Sequence, residues 1–338
     1  MRVTFIFGNG FDLNLGMKSS YSQFYEWYCE KYGDEYFAKI IKEDRNAQKE
    51  NWADLELSLG GYTKEISKDE IELFLDEKQN LEGRLKEYLI QESNELKLDY
   101  TIAGPKFKNA LVNFYNAFNE NDRPEYKKFI SGTGACIEYS IITLNYTDAI
   151  KNLYDGAIKQ LKPEITHRAN NGSTYTDKIS KPLYVHGNIE SEAVTNGMIL
   201  GVADDSQIAN SEFRDRRDCS DYLIKESVNR KMGARNIEKA KQIINESVYV
   251  CVFGTSFGVT DKLLWQYLVV WLKQGASKRL CIFARDSKLI EGSAQALVRR
   301  QDYHRRLFLE RAGVDEHEQE ELMNKIIVCL NSDVFDLM

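Results

Sequence analysis

Four short polar clusters in this sequence have residue types that could bind a nucleotide and act on it. Each lies at the end of an apolar run; they are Gly8-Asn9-Gly10-Phe11-Asp12, Thr143-Leu144-Asn145-Tyr146-Thr147, Leu183-Tyr184-Val185-His186-Gly187 and Gly254-Thr255-Ser256-Phe257-Gly258. Glycines let a ligand approach the backbone, an asparagine amide can hold a sugar hydroxyl or a water, and a histidine suits a general base near neutral pH. The clusters therefore suggest one nucleotide site.

The first cluster follows the run Val3-Thr4-Phe5-Ile6-Phe7 and predicts a strand that turns into a helix at a ligand. Gly8 and Gly10 match two glycines of the dinucleotide-binding pattern, but Leu13 stands where its third glycine would be. A tight turn without a ligand is the alternative. Because a carboxylate would repel a pyrophosphate, we expect Asp12 to cap the helix or to accept a ribose hydroxyl.

Asn145 and His186 are the candidates for the reaction itself. Asn145 would position a sugar hydroxyl or a water, and an N-cap or a turn is its structural alternative. His186 is one of four histidines, and its ring should emerge at a strand end, where it could act as a base; a structural or solvated role is the alternative. His304 and His317 lie in charged helical surroundings and are expected at the surface.

The fourth cluster precedes a helix that we predict to start near Thr260. Backbone N–H groups and hydroxyls of Gly254-Thr255-Ser256 could bind an anion there, and simple N-capping is the alternative. Glu56 lies near Trp52 on another predicted helix. We expect it to be an ordinary helix carboxylate, although it could reach the site.

Alternating strands and helices position these clusters. Strand patterns occur at residues 3–7, 139–144, 181–185, 198–202, 248–253, 279–284 and 326–330, and helix patterns at 238–246, 260–274 and 294–312. They predict an α/β fold with a Rossmann-like, doubly wound, mostly parallel sheet. We expect residues 1–338 to form one domain, with a helical insertion at residues 18–134. Since the carboxyl ends of parallel strands share one edge, the four clusters should line one cleft.

Composition narrows the function classes. The 338 residues are 43% hydrophobic with four prolines, which indicates an ordered globular chain. A net charge of −7 argues against a protein that mainly grips nucleic acid. Six scattered cysteines without a C-x-x-C pair make a zinc site or a disulfide framework unexpected, and Cys251 and Cys281 are predicted core residues. The first apolar run is too short for a signal peptide or a membrane span, so we expect a cytoplasmic protein.

The motifs resemble a known family. The run from Phe5 to Tyr21 closely resembles the opening of the bacteriophage abortive infection AbiH family. Five later segments also resemble that family in the same order: Trp52–Glu56, Thr143–Thr147, Val185–Gly187, Leu200–Val202 and Gly254–Gly258. The resemblance implies a role in antiphage defence, through self-sacrifice or growth arrest of the host.

A more distant similarity to sirtuins and to sirtuin-like NAD hydrolases of antiphage systems implies a mechanism. The loop Gly8-Asn9-Gly10-Phe11, with Gly16, resembles the sirtuin phosphate loop, and Gly254-Thr255-Ser256 resembles the later cofactor loop. Asn145 takes the place of the asparagine that contacts the nicotinamide ribose, and His186-Gly187 resembles the catalytic His-Gly pair.

The sequence differs from the sirtuin pattern at several positions, and these differences limit which sirtuin activities can be expected of this protein. Asp12 replaces a small hydroxyl residue, Met17-Lys18-Ser19-Ser20 replaces a Pro-Asp-Phe-Arg segment, and Thr147 replaces an acid. The cysteines of the sirtuin zinc module are missing from the sequence. These differences argue against protein deacylation and leave NAD cleavage open.

Three hypotheses follow. In the first, the protein binds NAD⁺ as a substrate, without a metal, and hydrolyses its nicotinamide–ribose bond with His186, Asn145 and Asp12. In the second, the pocket holds a nucleotide without turnover and senses infection. The third is an enzyme that cleaves nucleic acid and binds it through Arg214, Arg216, Arg217 and the 299–306 face. The acidic net charge disfavours this hypothesis. A homo-oligomer and a phage-derived trigger stay open as partners, and no membrane partner is expected.

Overall fold

A computed structural model describes residues 1–47, 54–159, 164–190, 197–290 and 292–338. Its main sheet has seven strands, all joined by parallel pairings. In chain order the strands of the fold are β1 (Arg2–Phe7), β2 (Glu138–Thr143), β3 (Thr166–Arg168), β4 (Thr174–Thr176), β5 (Lys178–Ile179), β6 (Leu183–Tyr184), β7 (Ser247–Phe253), β8 (Arg279–Ala284) and β9 (Ile326–Leu330). The strands β3 and β4 form a separate antiparallel hairpin.

The spatial order of the main sheet is β5 and β6, then β2, β1, β7, β8 and β9. If β5 and β6 count as one strand, this is the order 3-2-1-4-5-6 of the Rossmann arrangement. The prediction of a Rossmann-like, mostly parallel α/β sheet is therefore confirmed. The strand order reverses between β1 and β7, which is where ligands of such sheets bind.

Both faces of the sheet are covered by helices, because its apolar strands need burial on both sides. On one face Phe5 and Phe7 pack with a helix that carries Phe107, and on the other Ile6 packs with a helix that carries Trp265. The helices are α1 (Gly10–Asn14), α2 (Tyr21–Lys31), α3 (Tyr36–Asn46), α4 (Leu55–Tyr62), α5 (Ile71–Glu95), α6 (Tyr100–Asn113), α7 (Asp122–Gly132), α8 (Ala149–Lys159), α9 (Ser211–Asp215), α10 (Arg217–Ser220), α11 (Lys225–Lys231), α12 (Asn236–Asn245), α13 (Lys262–Lys273), α14 (Ala294–Arg311) and α15 (Glu316–Met323).

The segment at residues 18–134 has two parts. Helices α6 and α7 share the core of the sheet, whereas α2 to α5 form a second apolar cluster with Tyr146 and residues 198–224. This second cluster brings α4 to the carboxyl edge of the sheet, because Tyr146 follows β2 there. Trp52, which the sequence pairs with Glu56, lies outside the described residues.

One strand prediction is wrong. Residues 198–201 are irregular, and Val202 makes only an isolated bridge with Ile224. Leu200 and Val202 are buried in the second cluster instead, so their apolar side chains reflect packing between helices and not a strand. The predicted strand at 181–185 is present only as the two-residue strand β6, and β5 lies before the predicted range.

Cys251 and Cys281 are buried in adjacent strands, as predicted. Within the described ranges, no helix combines the length and apolarity needed to cross a membrane.

Candidate functional site

The carboxyl ends of the central strands align in register and open into one cleft of about 660 Å³. Phe7 of β1 pairs with Thr143 of β2 on one side and with Phe253 of β7 on the other. The segments that follow these strands are three of the polar clusters, and His186 follows β6 beside them. The volume is typical of a small-molecule or cofactor site.

Most of the sequence-predicted site residues line this cleft: Gly8, Asn9, Gly10, Asp12, Asn145, His186, Gly254, Thr255 and Ser256. Phe11 and Gly187 are not among the lining residues. The Phe11 ring is buried in the core against Phe7, with ring centroids 4.6 Å apart, because the first turn of α1 points it at the sheet. Gly187 is buried with φ +77°, which a glycine adopts without strain as the chain turns after His186.

The two glycine loops interlock with each other. The N–H of Gly8 donates to the Phe253 carbonyl at 2.9 Å, and the N–H of Gly10 donates to the Gly254 carbonyl at 2.7 Å. A Cβ at Gly10 would lie 2.7 Å from the Cα of Gly254, and one at Gly254 would lie 2.4 Å from the Phe11 nitrogen. These glycines are thus required by loop–loop contact, and the N–H groups of Gly8 and Gly10 are already used.

The Asn9 side chain has a structural role. Its Nδ2 donates to the Ser19 carbonyl at 3.0 Å, and its Oδ1 accepts from the Ser19 hydroxyl at 2.6 Å. These bonds hold the first loop to the segment that leads into α2. One donor and one acceptor position of the Asn9 amide are therefore used within the protein.

Asp12 is a buried carboxylate in the cleft wall, 1% exposed. The Thr147 hydroxyl donates to its Oδ2 at 2.6 Å, while Oδ1 has no hydrogen-bond partner. Burial raises the pKa of Asp12 to about 6, against the opposing effects of Thr147 and the nearby Asn145. Asp12 therefore changes its charge in a range close to neutral pH.

Asn145 is buried, and neither its amide nitrogen nor its amide oxygen makes a hydrogen bond of normal geometry, although the amide lies close enough to Asp12 to lower the pKa of that carboxyl. The backbone N–H of Asn145 donates to the Thr143 hydroxyl at 3.1 Å, and this bond fixes the turn after β2. A side chain with a donor and an acceptor both unsatisfied is costly in a folded protein unless a ligand or water completes it. Asn145 is therefore the clearest sign of a polar ligand in this cleft.

His186 is held by a buried chain of charged groups. Its Nε2 lies 2.8 Å from Oδ1 of Asp261, and that oxygen also accepts from Nζ of Lys225 at 2.7 Å. Lys225 Nζ donates a second bond to Glu56 Oε2 at 2.8 Å, and the other Glu56 oxygen accepts from the Tyr146 hydroxyl at 2.9 Å. The remaining ring nitrogen of His186, Nδ1, is buried without a partner.

The charged groups that are hydrogen-bonded in series to His186 stabilise one another's charged forms. Burial opposes the charged forms, but Lys225 and His186 together hold the pKa of Asp261 well below its usual range. Burial likewise opposes the Lys225 ammonium, and Asp261 with Glu56 overcomes it and raises the pKa of Lys225. Lys225 is thus a cation and Asp261 an anion at neutral pH.

The helix that follows the fourth cluster, α13, starts at Lys262, and its N-terminus is already occupied by a carboxylate. A 3₁₀ turn at Val259–Asp261 precedes α13, and Asp261 is the N-cap of that helix, so its own carboxylate already lies at the positive end. The loop before it keeps free groups. Thr255 Oγ1 is buried without a partner, and the backbone N–H groups of Thr255 and Ser256 make no hydrogen bond within the described part of the chain.

The other end of the cleft lies beyond β8 and is mostly apolar. Its walls are formed by Trp265, Ile282, Phe283, Ala284, Leu307, Arg285 and His304. His304 was expected at the surface, but its side chain is only 12% exposed and its Nε2 lies 2.9 Å from Asp286 Oδ2. The packing of α14 against β9 turns this face of the helix inward. His317, in contrast, is exposed as predicted.

The cleft therefore has two chemically different ends. The end with Asn145 and His186 also carries four carboxylates, contributed by Asp12, Asp54, Glu56 and Asp261. Of the cations described above, only Lys225 contacts this group. Such an end favours a ligand group with positive charge, while the free groups of Thr255 and Ser256 favour an anion further along. In the described residues, no cluster of three or more His, Cys, Asp or Glu side chains is arranged to hold a metal ion.

Sequence reasoning missed Lys225 and misjudged Glu56, which is 6% exposed and bonded within the site. A signal for Glu56 existed in the buried pattern of Leu55 and Leu59 on the same helix. Lys225 follows Leu223 and Ile224, which are both buried, but it has no other local mark.

Comparison with known proteins gave two findings. A search among curated proteins gave no match. Residues 4–283 match the profile of the family described as bacteriophage abortive infection AbiH, and this range contains every residue of the candidate site except Ala284, Arg285, His304 and Leu307. Because the match covers most of the chain, this protein belongs to the bacteriophage abortive infection family AbiH.

Proposed function

We propose that this protein binds NAD⁺ or a closely related nucleotide in the cleft and hydrolyses its nicotinamide–ribose bond during the response to phage. The observation that carries the proposal is a set of buried polar atoms without partners at one end of the cleft. They are both amide atoms of Asn145, Nδ1 of His186 and Oδ1 of Asp12. A ligand with hydroxyl groups and a positive charge would satisfy all of them.

The charge distribution supports one orientation of the dinucleotide. The nicotinamide ring of NAD⁺ is cationic and would lie at the end with the carboxylates. The pyrophosphate would follow at Thr255 Oγ1 and the free N–H groups of Thr255 and Ser256. The adenine would reach the apolar end near Trp265 and Phe283.

The reaction then needs three contributions from the chain. The bond between the sugar C1′ and the nicotinamide nitrogen breaks, nicotinamide leaves with the bonding electrons, and positive charge develops on the sugar. Ionised Asp12 would stabilise that charge, and Asn145 would hold the ribose hydroxyls. A water would add to C1′ and lose its proton to Nδ1 of His186, a step that contributes typically ~10²–10⁴-fold.

The test is release of nicotinamide and ADP-ribose from NAD⁺, measured by chromatography, with and without extract of phage-infected cells. We expect His186→Ala and Asn145→Ala to lose at least ~100-fold of the wild-type rate. The exposed residues His317 and Asn109 provide matched controls, His317→Ala and Asn109→Ala, which should retain that rate.

Two outcomes would contradict the hydrolase. If both site variants cleave NAD⁺ at the wild-type rate, the reaction does not take place at this site. Tight NAD⁺ binding by calorimetry with no nicotinamide released, even with infected-cell extract, would favour a nucleotide sensor that acts without turnover.

A further inference from the structure

We propose that Asp261 is the positioning residue for His186: it keeps the ring proton on Nε2, so that Nδ1 is the free base that faces the cleft. Lys225 and Glu56 in turn fix Asp261. The kinetic part of this inference rests on the hydrolase proposed above, whereas the protonation of the ring can be tested without it.

The hydrogen bonds determine where the ring proton lies. Oδ1 of Asp261 accepts from the Lys225 ammonium at 2.7 Å and lies 2.8 Å from Nε2 of His186. An oxygen that already accepts from an ammonium is an acceptor for the ring as well, so the contact requires a proton on Nε2. A neutral imidazole then has its lone pair on Nδ1.

The comparison with His167 shows that this arrangement differs from a structural histidine. His167 uses both ring nitrogens: Nδ1 lies 2.9 Å from both carboxylate oxygens of Asp177, and Nε2 lies 2.9 Å from the Thr133 carbonyl. Its ring ties the β3–β4 hairpin to the end of α7, and it has no free nitrogen. His186 is equally buried but leaves Nδ1 unsatisfied in a cleft wall.

Lys225 and Glu56 explain how a carboxylate with little solvent contact can serve this role. Lys225 is 3% exposed and bridges Asp261 to Glu56, and Glu56 is anchored by Tyr146. Without the ammonium, the half-buried Asp261 would be driven towards its neutral form and would accept the ring proton less well. The position of Asp261 at the N-cap of α13 adds favourable electrostatics for its charge.

The arrangement therefore connects three separate parts of the fold to one imidazole. α4 of the second cluster contributes Glu56, α11 contributes Lys225, and the start of α13 contributes Asp261. The hydrogen bonds that orient the ring run between the three residues and His186 and are present without a substrate. Loss of Asp261 should consequently reduce turnover more than substrate binding.

The first experiment measures the tautomer directly by NMR of protein labelled with ¹⁵N in its histidine rings. The His186 signals are assigned by their loss in His186→Gln. We expect a protonated, exchange-protected Nε2 and an unprotonated Nδ1 in the wild type, loss of that protection in Asp261→Ala, and no change in the control Asp302→Asn. Asp302 pairs with Arg305 on α14 and does not line the cleft. A proton on Nδ1 in the wild type, or an unchanged protected Nε2 proton in Asp261→Ala, would overturn the inference.

The second experiment uses NAD⁺ cleavage. Asp261→Ala should lose ~10²–10⁴-fold in kcat with a KM within a few-fold of wild type. Asp261→Asn keeps an acceptor oxygen and should recover part of that loss, which a merely structural role would not predict. A kcat for Asp261→Ala within threefold of wild type would contradict the assignment. If the wild type releases no nicotinamide, the NMR result still decides the role of Asp261, and only the hydrolase proposal falls.

Discussion

The hydroxyl of Thr147 donates a hydrogen bond of 2.6 Å to Oδ2 of Asp12 and joins the segment after β2 to the loop after β1. Thr147 thus supplies a donor to the buried acid that the first loop contributes to the cleft. The effect of either residue on stability should therefore depend on whether Asp12 is charged.

The charge of Asp12 should make stability depend on pH. Burial raises its pKa from 3.8 to about 6, so the folded protein binds the proton more tightly than the unfolded chain. The resulting stabilisation is complete below pH ~4 and is lost as pH rises through ~6. Asp12→Asn should therefore gain up to ~3 kcal/mol in the free energy of unfolding relative to wild type at pH 8, and little at pH 4. Urea unfolding at both pH values measures the difference, and a gap independent of pH would refute this account.

Removal of the Thr147 hydroxyl should have the opposite dependence. Thr147→Val leaves ionised Asp12 without its donor, and a hydrogen bond to a charged group is worth about 1.5–3 kcal/mol. We expect a loss of that size in the free energy of unfolding at pH 8 and a smaller loss at pH 4. Thr147→Ser keeps the hydroxyl and should retain most of the free energy of unfolding that Thr147→Val loses. A Thr147→Val protein as stable as wild type at pH 8 would show that this hydrogen bond does not stabilise the fold.

The position of the strand ends at one edge of the sheet could be predicted, because the sequence pattern that marks the end of a strand is local. An apolar run that breaks on glycine marks where a strand stops, and parallel strands place such stops on one edge. Phe7 and Phe253 are indeed register partners, and Gly8 and Gly254 follow them. What the glycines contact was not predictable, since a glycine that admits a ligand and one that admits another loop have the same local pattern.

The groups around His186 could not be predicted for a different reason. Lys225 is separated by 169 residues from Glu56 and by 36 from Asp261, and the burial of a lysine depends on such distant partners. The prediction of His304 at the surface was wrong for a similar reason. The charged residues around it on α14 do not indicate which face of the helix packs against β9. The apolar residues at 198–202 likewise found their partners in helices and not in a strand.

The free energy of unfolding should be sensitive to the loss of the Lys225 ammonium. Replacement by methionine leaves the buried Glu56 and the half-buried Asp261 without their shared cation, and breaking a buried pair costs about 3–5 kcal/mol. Thermal and urea unfolding of Lys225→Met should show that loss. Lys273→Met, which breaks an exposed pair with Glu318, should cost no more than ~1 kcal/mol.

A double variant separates the charge effect from the loss of packing at Lys225. Adding Glu56→Gln to Lys225→Met removes one of the two stranded charges while keeping an acceptor for Tyr146. The double variant should be more stable than Lys225→Met alone. Additive losses would mean that the carboxylates are not coupled through the lysine.

The interlocked glycine loops predict a contrast between two glycine-to-alanine changes. In Gly10→Ala the new methyl would lie 2.7 Å from the Cα and 2.8 Å from the carbonyl oxygen of Gly254, and backbone cannot move aside as a flexible side chain can. Forced overpacking of this kind costs about 1–3 kcal/mol. Gly83 is exposed within α5 and has no atom within 4 Å of an added Cβ, so Gly83→Ala should stabilise by up to ~1 kcal/mol. Urea unfolding of the two variants should shift in opposite directions. A Gly10→Ala protein as stable as wild type would mean that the loops are not in contact, and the cleft that they border would have to be drawn differently.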